Sequence, residues 1–165
     1  MPAPSTPTLG TLLRHLLEKL DGAVEQSYVE SGLDYRPRYT PIVRALIKSG
    51  PASIRAISRS AGITHSAVSQ TVAQMVERGL LELEPGGDAR ERIVALTPLG
   101  KAMVPKLQRH WQATNAAAEM LDRELSMPLA ALLREAIDAL DRHSFGHRIG
   151  KAAAKQKRSS SKRRS

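Results

Sequence analysis

The sequence contains no cysteine and very few aromatic residues. None of the 165 residues is Cys, and Phe, Trp and Tyr together account for 3%. The lack of cysteine excludes disulfides, thiolate zinc sites, a cysteine nucleophile and a thiol redox switch, and it is weakly typical of a reducing interior. Because 41% of the residues are nevertheless hydrophobic, the chain can bury a core of its own, which must be mainly aliphatic.

Long hydrophobic runs and catalytic motifs are missing as well. Charged or polar residues at positions 14, 15, 18 and 19 interrupt the leucine-rich N-terminal segment, so it lacks the pattern of a secretory signal, and no other stretch could span a bilayer. The sequence has no phosphate-binding loop, G-x-S-x-G or H-E-x-x-H motif. We therefore predict a cytoplasmic protein without membrane contact, and an enzyme is far less favoured than a binding protein.

Two histidines near the C-terminus are spaced like metal ligands. His143 and His147 are four residues apart, and Asp138 and Asp141 are close by in the sequence. Residues 144–146, however, indicate that the helix is already ending there, so a histidine at a helix C-terminus is the simpler interpretation. We predict no metal and no other cofactor.

Charge is absent from one segment in the middle of the chain. Asp, Glu, Lys and Arg make up 25% of the sequence, yet none occurs between Arg59 and Glu77. Within this segment Val68, Val72 and Met75 have the spacing of a helix with one buried face. The opposite face then carries short polar or small side chains, namely Ser66, Ser69, Gln70, Ala73 and Gln74.

Such a face suits the major groove of DNA. Gln can pair with adenine through two hydrogen bonds, Ser can donate or accept, and an alanine methyl can meet a thymine methyl. A charged face would favour phosphates over base edges, so the absence of charge favours base recognition. The alternative is a small-residue surface that packs against another helix.

Turn signals around this helix predict a winged helix-turn-helix. Gly62 ends a preceding helix over residues 54–61, and Thr64 is placed to cap the helix that follows. The runs LLELE and RIVAL then alternate as strands do, and PGGDARE joins them as a hairpin tip. A hairpin that directly follows a helix-turn-helix is a wing.

Phosphate contacts are expected at the flanks of this unit. The candidates beside the turn are Thr64, His65, Arg55 and Arg59. In the wing, Arg90 and Arg92 could reach a narrow minor groove, and Asp88 could hold Arg90 by a charge-assisted hydrogen bond. Each of these residues can also be read as an ordinary exposed polar side chain.

The remaining helices predict a dimer, and the C-terminus forms a basic tail. We divide the chain into an N-terminal dimerisation helix and linker (1–39), a winged helix-turn-helix domain (40–98), C-terminal dimerisation helices (99–150) and a disordered tail (151–165). The fold class is mainly α with a small β-hairpin. Leucine stripes outside 40–98 exceed what one small core can cover, so a two-fold dimer is expected. The tail carries seven cations and no acidic residue, which leaves a net charge of +2 for residues 1–150.

The central run resembles the winged-helix core of the MarR family of bacterial transcriptional regulators. Asp88-Ala89-Arg90 matches the family's D-x-R wing, and Leu96-Thr97 with Gly100 matches its L-T-x-x-G start of the next helix. The resemblance implies an obligate homodimer, major-groove recognition by the helix over 65–78 and a minor-groove contact by Arg90. It also implies transcriptional regulation, which in this family is often repression. A small anionic or phenolic ligand that binds between the dimer and DNA-binding regions often relieves that repression.

Two further predictions concern partners. Candidate residues for the effector pocket are Tyr28, Tyr35, Arg36, Tyr39 and Trp111, each of which is more often a core residue than a ligand contact. The partner we expect is double-stranded DNA with a palindromic operator, bound by a nucleoid-associated homodimer. The alternative is an architectural DNA-binding protein whose affinity depends mainly on the basic tail.

Overall fold

The computed structural model describes residues 6–87 and 92–162, and for residues 157–162 it describes the backbone alone. Seven α-helices and three strands occur in these residues. The helices are α1 (Leu9–Glu30), α2 (Thr40–Ser49), α3 (Ile54–Ala61), α4 (His65–Glu77), α5 (Pro98–Glu124), α6 (Leu129–Arg142) and α7 (Phe145–Lys162). The strands are β1 (Ala52–Ser53), β2 (Leu81–Pro85) and β3 (Arg92–Leu96), and a short 3-10 helix covers Pro37–Tyr39. The predicted fold class, mainly α with a small antiparallel sheet, is confirmed.

Side-chain caps set most of the helix starts. The Oγ of Ser53 accepts a hydrogen bond from the Ala56 backbone N–H, which begins α3. The sequence Thr40-Pro41 is typical of a cap followed by a first-turn proline, but Thr40 has helical torsion angles and is the first residue of α2, directly after the 3-10 turn. At the start of α6, the Asp122 carboxylate accepts a hydrogen bond from the Leu129 N–H at 2.8 Å.

The three strands form an antiparallel sheet in the order β1-β3-β2. Strands β2 and β3 are the predicted wing, and they pair from Leu81 with Leu96 to Pro85 with Arg92. Strand β1 was not predicted because two residues give no alternation to detect. It pairs through Ala52 with Val94 and thereby attaches the wing to the start of α3.

The chain divides into two compact units, residues 1–114 and residues 115–165. The core lies in the first unit and is built from aliphatic and tyrosine side chains of α1, α2, α3, α4, the sheet and the first half of α5. The most buried large residues are Tyr28, Tyr39, Ile42, Ile57, Met75, Leu81 and Leu107. Pro105 lies inside α5, and the helix continues through it.

In the second unit, no residue between 115 and 156 is buried. It contains α6 and α7, and α6 ends at Arg142 as its sequence indicated. The expectation of a disordered tail from residue 151 differs from the structure, in which α7 continues to Lys162. The physical reason is that alanine, lysine, arginine and glutamine are strong helix formers even where no core is available.

Among the described residues, no helix is long and apolar enough to cross a membrane. His143 and His147 stack with their ring centroids 5.8 Å apart. No group of three or more His, Cys, Asp or Glu within 6–87 and 92–162 is placed to hold a metal ion.

Candidate nucleic-acid interface

The turn between α3 and α4 is fixed by backbone conformation and two side chains. Gly62 adopts the left-handed conformation at φ 67°, which a residue with a Cβ rarely takes, and its N–H donates to the Ser58 carbonyl at 3.0 Å. The Ser58 Oγ donates to the Ile63 carbonyl at 2.6 Å. Thr64 then accepts from the Ala67 N–H at 3.2 Å, as predicted for the N-cap of α4. These contacts fix the angle at which α4 leaves α3.

One face of α4 is buried and holds the helix against the core. Val68 and Met75 are fully buried, and Val72 is 2% exposed. Burial of three such side chains stabilises this packing by several kcal/mol, at about 1.5 to 3 kcal/mol each. The helix therefore presents a fixed opposite face rather than one that rotates.

The exposed face of α4 is uncharged along most of its length. Its exposed residues from the predicted set are Ser66, Ser69, Gln70 and Ala73. Ala67 is exposed on the same helix and was not in that set, since its position lies at the edge of the predicted face. The hydroxyl, carboxamide and methyl groups on this face match the groups that a major groove offers.

Gln74 is placed differently from the other members of the predicted face. It is only half-exposed, and its Oε1 is buried without a hydrogen-bond partner among the described residues. Pairing with adenine needs both the carbonyl and the amino group of a glutamine side chain. Gln70, which is exposed, is therefore better placed than Gln74 for such a contact.

The C-terminus of α4 is held by contacts that sequence reasoning missed. The guanidinium of Arg78, the C-cap residue, forms an ion pair with the Asp34 carboxylate. The Thr97 hydroxyl donates to the Gly79 carbonyl at 2.6 Å. Both pairs join positions far apart in the chain, so no local pattern could have identified them.

Exposed basic residues lie on the helix before the turn, at the start of α4 and at the wing. Arg55 and Arg59 on α3 and His65 at the start of α4 are all exposed. Arg92 is exposed at the first position of β3. Asp88 and Arg90, the predicted wing-tip pair, lie outside the described residues.

Four of the five residues predicted to line an effector pocket belong to one buried core cluster of the first unit, namely Tyr28, Tyr35, Tyr39 and Trp111. Tyr28 contacts Tyr35 edge to face at a centroid distance of 5.1 Å, and Tyr35 contacts Tyr39 in the same way at 5.5 Å. Trp111 is buried, and the Arg44 guanidinium lies 4.9 Å from its ring centroid. Arg36 is half-exposed and caps the 3-10 helix through its backbone. Two buried polar atoms of this cluster, the Tyr39 hydroxyl and Trp111 Nε1, have no hydrogen-bond partner among the described residues.

Tyr35 stands at the centre of the cluster. Burial raises the pKa of its hydroxyl far above the ordinary range of tyrosine, and a hydrogen bond to the Thr40 hydroxyl lowers the pKa in part. A small apolar pocket beside Tyr35 is lined by side chains that include Met75 of α4 and Leu107 of α5. Any change in this pocket would thus reach the buried face of α4 directly.

Comparison with known proteins supports the fold. Residues 31–91 match the sequence model of the MarR family. No curated protein is similar in sequence to this chain.

Three solved structures illustrate the shared fold. The regulator MosR of M. tuberculosis, in complex with DNA, superposes with a TM-score of 0.63 at 16% identity over 89% of this chain and 98% of that one. BpsR of Bordetella bronchiseptica, whose DNA binding is regulated by 6-hydroxynicotinic acid, gives 0.58 at 23% identity over 84% and 99%. MarR of E. coli gives 0.53 at 18% identity over 82% and 98%. Residues 31–91 thus match the MarR family, and the chain shares its winged helix-turn-helix fold with these solved structures.

Proposed function

We propose that this protein is a sequence-specific transcriptional regulator that binds an inverted-repeat operator as a homodimer. The observation that carries the proposal is the uncharged exposed face of α4, which is held rigidly between a capped turn and the sheet. Phosphate contacts from Arg55, Arg59, His65 and Arg92 would orient the helix, and Arg90, which lies between β2 and β3 in the sequence, would reach the minor groove. This function requires neither catalysis nor a cofactor. A protein with this function would act in the cytoplasm, where the DNA is.

The homodimer is supported by apolar side chains that the single chain leaves exposed. On α1, the side chains of Leu9, Leu12, Leu13, Leu17 and Leu20 are between 39% and 66% exposed. On α6, the exposed apolar residues are Leu132, Leu133, Ile137 and Leu140. Continuous apolar stripes of this kind mark protein interfaces. A two-fold dimer would cover them and pair two α4 helices on the two halves of a palindrome.

Release by a small ligand is the finer part of the proposal. The cluster of Tyr28, Tyr35, Tyr39 and Trp111 supplies aromatic surface and two hydrogen-bonding atoms that have no partner among the described residues, and Arg36 next to Tyr35 in the chain adds a guanidinium. A small aromatic carboxylate would match this chemistry, since its ring suits the aromatic residues and its charge suits Arg36 or Arg44. BpsR, regulated by 6-hydroxynicotinic acid, is an example on the same fold. Binding of such a ligand in the cluster would release the protein from its operator and end the repression of the genes that the DNA-bound protein controls.

An architectural DNA-binding protein is the second candidate, and the basic tail is the observation in its favour. Seven cations beyond residue 150 could give affinity that ignores sequence. The uncharged face of α4 would then not recognise specific bases. The two candidates therefore differ in whether the protein enriches a sequence.

Selection of bound duplexes from a random DNA pool by the full-length protein, at near-physiological salt, tests the proposal. We expect enrichment of an inverted repeat whose half-sites are about one helical turn apart. Binding without any enrichment would favour the architectural candidate instead. Adding salicylate as a probe carboxylate to the enriched complex should release the DNA if the aromatic cluster binds an effector.

A further inference from the structure

Helix α7 carries most of its cations on one side. Residues 151, 155, 158 and 162 are Lys, Lys, Arg and Lys, separated by four, three and four positions. At about 100° per residue these positions fall within about 60° of one another around the helix axis. We call these four residues the basic stripe. Lys157, by contrast, lies about 100° or more from every member of the stripe.

The start of α7 is fixed to the end of α6. The Arg148 guanidinium donates from Nη2 to the Ala139 carbonyl at 2.9 Å and from Nε to the His143 carbonyl at 3.2 Å. The Ser144 Oγ accepts from the His147 N–H at 3.2 Å and caps α7. Within the second unit, α7 is thus a separately capped helix with a defined attachment. Its stripe therefore has a defined direction with respect to α6.

Nothing in the sequence of α7 neutralises the stripe. The last acidic residue of the chain is Asp141, so the 24 residues that follow contain none. Lys151 and Lys155 are exposed, and among the described residues neither forms an ion pair. A row of cations on a helix whose sequence contains no acidic residue is complementary to a polyanion.

The stripe fits duplex DNA better than a membrane surface. Its four charges span about 16 Å, at 1.5 Å per residue, and so follow one another about every turn of helix. A helix that lies in a membrane interface needs large apolar residues along its whole length. Helix α7 has only Phe145 and Ile149 in its first turns, and beyond Ile149 it contains no large apolar residue.

We propose that the basic stripe of α7 binds the phosphates of duplex DNA and adds affinity that is independent of base sequence. The inference rests on the proposed function for the choice of duplex DNA as the partner. It goes beyond that function because it assigns a second DNA-binding surface, outside the winged helix. Phosphate contacts carry no sequence information, so the stripe raises the affinity for operator and random DNA by the same factor.

Two full-length variants with equal charge separate a helical face from mere net charge. The stripe variant carries Lys151→Gln, Lys155→Gln and Arg158→Gln. The matched control carries Lys157→Gln, Arg163→Gln and Arg164→Gln, the three tail cations that are not in the stripe. Glutamine keeps a helix propensity close to that of Lys and Arg, and far-UV circular dichroism would check that the helix content is unchanged.

The measurement is the dissociation constant for one selected and one random duplex between 50 and 200 mM salt. Three lost phosphate contacts should reduce the slope of log affinity against log salt by about 2.7 for each engaged tail. The wild type should then lose about 40-fold more affinity than the stripe variant over this fourfold salt range. We expect the matched control to stay close to the wild type on both duplexes.

Equal losses in the two variants would overturn the proposal, because net charge alone would then explain the affinity. Unchanged DNA binding, together with loss of binding to phosphatidylserine vesicles in the stripe variant, would assign α7 to a membrane surface instead. The test also separates the two proposals. Sequence preference with identical salt slopes refutes only the stripe, and a stripe effect without any sequence preference refutes only the specific regulator.

Discussion

At the residue scale, Gly100 shows why the L-T-x-x-G pattern is found at this point of the fold. A Cβ on Gly100 would lie 2.3 Å from the Leu80 carbonyl oxygen. Thr97 uses the same region, since its N–H donates to the Leu80 carbonyl and its hydroxyl accepts from the Gly100 N–H. The motif is therefore a junction that fixes α5 against the entry to the wing.

Gly100→Ala should destabilise the protein by about 1 to 3 kcal/mol, because the backbone of Leu80 must move to make room. Gly22→Ala is the matched control, since Gly22 also lies inside a helix but has nothing within 4 Å of the added Cβ. That control should be neutral or stabilising by up to about 1 kcal/mol. Urea unfolding of both variants measures the difference, and equal free energies of unfolding would contradict the close contact.

Tyr35 makes the stability of the protein depend on alkaline pH. Burial raises the pKa of its hydroxyl in the folded state, whereas in the unfolded chain the pKa is about 10. Its contribution to stability is therefore complete below pH 10 and is lost as the pH rises above that value. Tyr35→Phe removes this dependence. At pH 11 the wild type should have lost about 1.4 kcal/mol more than the variant, relative to pH 8. Parallel urea midpoints of the two proteins from pH 8 to 11 would contradict the prediction.

At the element scale, α4 divides its glutamines between two environments. Gln70 is exposed, while the Gln74 carbonyl oxygen is buried. The sequence pattern assigned both to one face, because a period of 100° per residue does not show where a neighbouring element covers the edge of that face. The two residues should consequently behave differently in DNA binding.

Gln70→Ala should cost about 1 to 3 kcal/mol on the selected operator and little on random DNA. Gln74→Ala should reduce the preference for operator over random DNA less than Gln70→Ala does, since the buried Gln74 carbonyl is not available for a two-bond contact with adenine. Gln108→Ala, an exposed glutamine on α5, serves as the control and should leave both affinities unchanged. Equal losses on operator and random DNA for Gln70→Ala would show that this residue does not read bases.

At the scale of the whole molecule, the leucine stripe of α1 is the main exposed apolar surface of the first unit. Leu17 is 56% exposed, so a charge at this position should not disturb the fold of a single chain. In a dimer formed through α1, the same charge would be buried without a partner and would cost several kcal/mol.

Leu17→Glu should therefore shift the protein from dimer to monomer in analytical ultracentrifugation and weaken binding to an inverted repeat far more than binding to a half-site. Glu18→Lys, on the opposite side of α1, is the matched control and should leave the dimer intact. A Leu17→Glu protein that sediments as the wild type does would remove α1 from the interface.

Most of the winged helix followed from local chemistry. The caps at Ser53 and Thr64, the left-handed turn at Gly62 and the buried period of α4 are decided by residues within a few positions of one another. The wing strands alternate clearly enough to be recognised. The composition of the tail predicts disorder because it offers no core, whereas the strong helix formers that dominate the segment extend α7 to Lys162.

The sequence by itself determined the order of α1 to α6 and of the two wing strands, and it determined the uncharged face of α4, since each depends on backbone periodicity and residue type. Only the tertiary structure decided which of these side chains are available. It buried the Gln74 carbonyl, packed Tyr28, Tyr35 and Tyr39 edge to face, and joined Asp34 to Arg78. Burial and pairing depend on contacts between residues distant in the chain, and local spacing carries no information about those contacts.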